Sequence, residues 1–147
     1  MNSLQIKTVR YQAEIAAIKQ IRIKVFQEEQ GVPAELEFDG LDEEAAHFLA
    51  YINDEAVGTA RIREIKHNII KIERLAVLPQ ARKQGVGKHL MLTALEAARQ
   101  NNTMAIVHAQ EYIAQLYQQL GFKTVGEKFS EAGIAHVKMV KQLSQSD

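Results

Sequence analysis

The run Arg82-Lys83-Gln84-Gly85-Val86-Gly87, followed by Lys88, gathers three cationic side chains and two glycines ahead of an apolar-striped segment. Residues of these types at this spacing suit the holding of a phosphate. The first turn of a helix leaves four backbone N–H groups without partners and carries the positive end of the helix dipole. Glycine there lets an anion approach the chain closely, because no Cβ stands in the way. Two phosphate loops fail at particular positions. The pattern G-x-x-x-x-G-K-[ST] asks for glycine at 82 and a hydroxyl residue at 89, where the chain has Arg82 and His89. The pattern G-x-G-x-x-G asks for glycine at 90, where Leu90 stands. What remains is [Arg/Gln]-x-x-Gly-x-[Gly/Ala].

Other side chains could carry proton chemistry. Tyr117 follows Ile113 and Leu116 and precedes Leu120 at helical spacing, so it is either a core aromatic or a proton donor. A phenol with a reference pKa near 10 stays protonated at neutral pH. Glu73 lies just ahead of Leu75-Ala76-Val77; its plain reading is a cross-strand partner for Arg61 or Arg63. His108 and Gln110 end an apolar run, and with His47 and His136 they could line a ligand site. None of the five histidines forms H-E-x-x-H or another tight ligand pair, so no metal is expected. The acidic stretch Glu28–Glu44, Glu29 included, is either a solvated loop or an attractor of cations.

These residues sit in a chain of 147 amino acids, a usual length for one domain, and a single domain over 1–147 is expected. Hydrophobic residues make up 46% and charged residues 24%, which argues against disorder. With 18 basic and 18 acidic residues there is no basic excess to neutralise nucleic-acid phosphates, so no nucleic-acid partner is expected. The absence of cysteine excludes disulfides, thiolate metal sites and cysteine nucleophiles. The N-terminal residues lack a signal-peptide apolar run, and no stretch nears the roughly 20 apolar residues that span a bilayer, so a cytoplasmic protein is expected.

The elements that must position the loop follow from periodicity. Residues 4–9 alternate as an edge strand. Ile15, Ile18, Arg22, Val25 and Phe26 recur at helical spacing over 13–26, with Arg22 alone polar among them. Gly31-Val32-Pro33 ends that helix and the acidic loop follows. Strands are expected over 46–52, 56–65 and 69–77; their short connections require antiparallel neighbours. A helix over 85–100, a strand over 104–109, a helix ending before Gly121 and strands over 122–125 and 134–140 complete the order β-α-β-β-β-α-β-α-β-β. That order is an α/β sheet of about seven strands with antiparallel and parallel parts.

The loop, the preceding Glu73-Arg74-Leu75-Ala76-Val77-Leu78-Pro79 and the later Ala114-Gln115-Leu116-Tyr117-Gln118-Gln119-Leu120-Gly121-Phe122 together resemble the GNAT superfamily of N-acetyltransferases. The resemblance covers about residues 4–140 and is strongest over 72–123. Arg22, Phe26, the run 29–33, Asp39, Asp42, His47 and the run 129–136 look like a small bacterial subgroup of that superfamily, assigned mostly by similarity. The resemblance implies a central parallel pair of strands that splay apart, acetyl-CoA as co-substrate, and direct attack by a primary amine in a ternary complex. It places Arg82, Lys83, Gln84, Gly85, Val86, Gly87 and Lys88 on the pyrophosphate, and the backbone of Leu75, Ala76 and Val77 along the pantetheine arm. Tyr117 becomes the general acid and Glu73 the base, acting through water. Glu29, His47, His108, Gln110 and His136 are the acceptor-side residues. The lack of cysteine agrees with direct attack, and the serines at 3, 130, 144 and 146 sit in no nucleophile-elbow motif. The superfamily also implies a homodimer. A non-catalytic acyl-CoA-binding module of the same fold would carry the same loop, and a nucleotide-phosphate binder is the unrelated alternative.

Overall fold

The computed structural model describes residues 3–143. Seven strands form one sheet in the order β1-β2-β3-β4-β5-β7-β6. They are β1 (Leu4–Val9), β2 (Ala46–Ile52), β3 (Glu55–Lys66), β4 (Ile69–Val77), β5 (Met104–Gln110), β6 (Lys123–Glu131) and β7 (Ile134–Gln142). Only β4 and β5 pair in parallel, as the helical crossover between them requires. Helix α1 (Ile15–Arg22) runs on into a wider π turn over Ile23–Glu29, α2 (Ala34–Glu37) is a single turn, and α3 (Val86–Ala98) and α4 (Ala114–Gln119) follow. No helix of the described residues is long and apolar enough to cross a membrane.

Strand alternation divides the core between the two faces of the sheet. On one face Leu90, Met91, Ala94 and Leu95 of α3 pack on Phe48, Ile70, Ile72, Ala105 and Val107. On the other, Ile18, Ile21 and Val25 pack on Leu49, Ala76 and Leu78. β4 changes phase along its length: Ile70 and Ile72 face α3, yet Leu75 and Val77 do so as well, with Ala76 on the α1 face. The cause is a bulge. Thr59 pairs with Ala76 and Arg61 with Glu73, so β4 holds one extra residue there. Arg74 supplies it, with φ of 56°. Its guanidinium is tied to the Glu37 carbonyl at 3.1 Å and to Asp39 at 3.2 Å.

α3 lies close to the sheet at Gly58. A Cβ built there would stand 3.0 Å from both Val86 Cγ1 and Leu90 Cδ1 and 3.3 Å from the Ala76 carbonyl oxygen. Both side chains are buried and cannot move aside. Gly58→Ala should therefore cost about 1–3 kcal/mol of stability through overpacking, read as a lower urea midpoint at unchanged m-value. An unchanged midpoint would show that α3 can lift from the sheet freely.

Two expectations need correction. β6 was expected over 122–125 but runs to Glu131, since eight of its nine residues are exposed and it carries little apolar alternation to mark it. The acidic stretch is not a solvated loop throughout, because Glu37 and Asp42 are 2% and 5% exposed.

Candidate active site

β4 and β5 stay paired only from Ile69, Ile70 and Lys71 against Met104, Ala105 and Ile106. Beyond that point β4 continues to Val77 and β5 to Gln110 without meeting. The opening is a cleft of about 660 Å³ walled by both strands, the start of α3, α4 and the π turn. The Leu78 N–H donates to the Val57 carbonyl of β3 at 2.8 Å. Backbone alternation then turns the N–H groups of Val77 and Leu75 to the open edge, so the splay leaves β4 with a donor edge facing the cleft.

The far end of the cleft is the α3 N-terminus. Gly85 caps it at φ 79°, and among the described residues no side chain caps the first-turn N–H groups. Lys83 is also left-handed, at φ 64°, and alternation of such residues turns successive N–H groups into a concavity suited to an anion. Lys83, Gly85, Gly87 and Lys88 line the cleft. Val86 lines it too, but its side chain belongs to the core, leaving its backbone for an anion. The Gln84 amide donates to the Gln80 carbonyl at 3.3 Å. Arg82 donates from Nε to the Val77 carbonyl at 3.0 Å and from its two terminal nitrogens to Glu29 at 3.0 and 2.6 Å. Glu29, expected on the acceptor side, is thus ion-paired to the first residue of the Arg82–Gly87 loop and shares a smaller pocket with Gln30 and Gln110.

Tyr117 lines the cleft from α4 and is 6% exposed. Its ring meets Phe122 edge-on, with centroids 5.7 Å apart. It is thus both a core aromatic and a cleft residue. Burial, with a small addition from Tyr112, pushes its phenol well above the usual value, so the hydroxyl keeps its proton.

Glu73 lines the cleft from β4 but is 8% exposed and heavily paired. One carboxylate oxygen accepts from Arg61, and the other accepts from Arg63 Nε at 2.9 Å. Burial alone would raise this carboxyl; the Arg61 hydrogen bond and the charges of Arg61 and Lys71 more than offset that and hold it below the ordinary range. The arrangement is the cross-strand pairing that the sequence offered as the alternative to a base. A carboxylate held so is a poor proton acceptor.

Residues 10–143 match the family model described as "Acetyltransferase (GNAT) domain". The chain belongs to the GNAT acetyltransferase family. The uncharacterized N-acetyltransferase YjcF of Bacillus subtilis (strain 168) is 37% identical over 123 residues, which are 82% of this chain and 87% of that protein. The crystal structure of an acyl-CoA N-acyltransferase from Pseudomonas aeruginosa is 30% identical, with a TM-score of 0.83 over 95% of this chain and 99% of that one. A GNAT family acetyltransferase from Elizabethkingia anophelis, solved with acetyl-CoA bound, shares the fold at 15% identity, with a TM-score of 0.71 over 95% of this chain and 98% of that one.

The residues expected on the acceptor side separate into two groups. His47 does not line the cleft. It is 1% exposed, donates from Nε2 to the Asp42 carbonyl at 2.8 Å and lies against the Tyr11 ring. Burial, outweighing the Asp42 contacts, lowers its pKa, which leaves a neutral structural histidine. His108, Gln110 and His136 do line the cleft, on β5 and β7. Gln110 exchanges two hydrogen bonds with Gln30, which follows the π turn, at 2.8 and 3.3 Å. Lys71 and Glu131 join this wall and were not singled out from the sequence. Glu131 falls in the 129–136 run, but a carboxylate on an exposed strand gives no signal of its own. Among the described residues no group of three His, Asp or Glu side chains could hold a metal ion.

Proposed function

We propose that this protein transfers an acetyl group from acetyl-CoA to a primary amine by direct attack within a ternary complex. The observation that carries this is the continuity of the β4–β5 opening with the uncapped α3 N-terminus. Such a path suits a long ligand with a pyrophosphate at one end and a thioester at the other. The N–H groups of the first α3 turn would hold the pyrophosphate, with Lys83, Lys88 and Arg82 adding positive charge. Arg82 must share its guanidinium between that anion and Glu29. The pantetheine arm would lie along Leu75, Ala76 and Val77, where a free β4 N–H can polarise the thioester oxygen. Tyr117 would give its proton to the departing thiolate. Glu73 would serve as the buried carboxylate that fixes Arg61 and Arg63 beneath the acceptor.

The reading is tested by thermal shift with acetyl-CoA, ATP and NAD, followed by thiol release with an amine panel. Stabilisation by acetyl-CoA alone and thiol release dependent on one of the amines are the expected results. Stabilisation by ATP but not by acetyl-CoA would overturn the donor. Binding of acetyl-CoA without transfer to any amine would make the protein a binding module of this fold.

A further inference from the structure

We propose that His108, oriented by Glu131, is the group that takes the proton from the acceptor ammonium. The inference rests on the transfer reading above and names a proton acceptor that Glu73 is too tightly paired to be.

The wall of the cleft opposite Glu73 is built from β5, β6 and β7. His108 lies two residues beyond the last parallel pair on β5, as Glu73 does on β4, so the two flank the start of the opening and both line the cleft. The His108 Nδ1 lies 3.1 Å from Glu131 Oε1. The His108 hydrogen bond, against a smaller opposing effect of burial, holds the Glu131 carboxyl below its ordinary range, so it is an ionised acceptor and Nδ1 is the donor. That tautomer leaves the lone pair on Nε2. Among the described residues Nε2 makes no hydrogen bond, although His108 lines the cleft. The Phe129 ring packs edge-on against the imidazole with centroids 5.1 Å apart and fixes its plane.

The same wall explains why the second histidine is not equivalent. The His136 Nδ1 donates to the Ile134 carbonyl at 2.7 Å, and its Nε2 points back to Glu131 Oε2 at 3.7 Å. His136 stacks on the other side of Phe129 and is 6% exposed. It lines the cleft as well, but both of its ring nitrogens lie against protein oxygens, so it holds Glu131 in place. The charged groups around His108 are Glu131 from β6, Lys71 and Glu73 from β4, and Lys138, its register partner on β7. Burial lowers the Lys71 pKa against the opposing pull of Glu73 and Glu131.

The ammonium gives one proton to His108 Nε2, which passes it to solvent. The freed nitrogen lone pair forms the bond to the thioester carbon. The C–S bond breaks with its electron pair on sulfur, and the thiolate takes the Tyr117 proton. The second proton lost by the nitrogen restores Tyr117, so one proton is released per amide formed. His108 is then a catalytic residue, and Glu131 is a positioning residue that sets its tautomer.

The experiment measures thiol release from acetyl-CoA between pH 6 and 10 with spermidine, tyramine, glucosamine, L-lysine and glycylglycine. It compares the wild type with His108→Gln, Glu131→Gln, Glu131→Asp and Glu73→Gln, each checked for an unchanged acetyl-CoA thermal shift. His108→Gln should lower kcat/KM for the amine about 100-fold at pH 7. The shortfall should narrow as the pH rises and the amine arrives already deprotonated. Glu131→Gln should show a smaller loss of the same pH shape, partly restored in Glu131→Asp. A His108→Gln rate within two-fold of wild type, or a loss that is flat with pH, overturns the inference. So does a pH-dependent loss in Glu73→Gln larger than that in His108→Gln. A wild type that binds acetyl-CoA yet acetylates none of the amines overturns the transfer reading itself, and His108's role with it.

Discussion

Tyr117→Phe should lower kcat for thiol release about 100-fold, equivalent to about 2.7 kcal/mol of transition-state stabilisation, with little change in the KM for acetyl-CoA. The substitution removes one oxygen and leaves the ring that packs edge-on against Phe122. No described residue depends on the hydroxyl for a hydrogen bond, so its loss orphans no partner and stability should stay within about 1 kcal/mol. The effect is therefore expected in the chemical step. Burial also predicts a pH signature. An ordinary tyrosine ionises near pH 10 and would stop donating there, whereas this phenol is pushed higher, so the wild-type rate should show no alkaline fall from Tyr117 at pH 10. Initial rates of thiol release across pH, with saturating amine, check both points. A Tyr117→Phe rate within two-fold of wild type would leave the residue as a core aromatic only.

Much of this site was legible because its parts follow local rules. A strand, two glycines and an apolar-striped helix specify an uncapped helix N-terminus from sequence alone, and Gly85 does take the left-handed conformation there. The splay of β4 and β5 was implied only by resemblance, since no residue type encodes where two strands stop pairing. Arg74 held an unread signal. In the alternation of Ile70 and Ile72 it falls at a core-facing position, which a cation avoids, and the bulge resolves that conflict by shifting the phase of Leu75 and Val77. Arg22 held another. An arginine inside the apolar stripe of α1 requires a buried anion, and Glu37 and Asp42 supply it at 2.8 and 2.6 Å. The His108–Glu131 contact was out of reach, because it joins residues 23 apart on two strands that do not pair with each other.

Arg61→Met should be the most destabilising single change, at about 3–5 kcal/mol, roughly a fifth or more of the stability of an ordinary domain. Arg61 is fully buried and meets three carboxylates: Asp39 at 2.8 Å, Asp42 at 2.9 Å, and Glu73. Methionine fills a similar volume but leaves three buried or half-buried acids facing a missing cation. The pH dependence fixes the origin of the loss. Burial would raise all three carboxyls, yet hydrogen bonds and charge from the arginines lower each of them in the folded state. A lowered folded pKa gives stability that is fully present above the unfolded values, about 3.9 to 4.3, and is lost as the pH falls through the lower folded ones. The wild type should thus lose this contribution only below about pH 4. In Arg61→Met the desolvation is unopposed by that arginine, the folded carboxyls shift upward, and the folded state binds protons that the unfolded chain does not. Its stability then rises as the pH falls from 7 toward 5, and the gap to wild type narrows. Urea unfolding of both proteins between pH 4 and 8 would show this, and adding Glu73→Gln to Arg61→Met should recover part of the loss at pH 7. A gap that stays constant with pH would mean that Arg61 stabilises the sheet by packing its side chain and not through its charge.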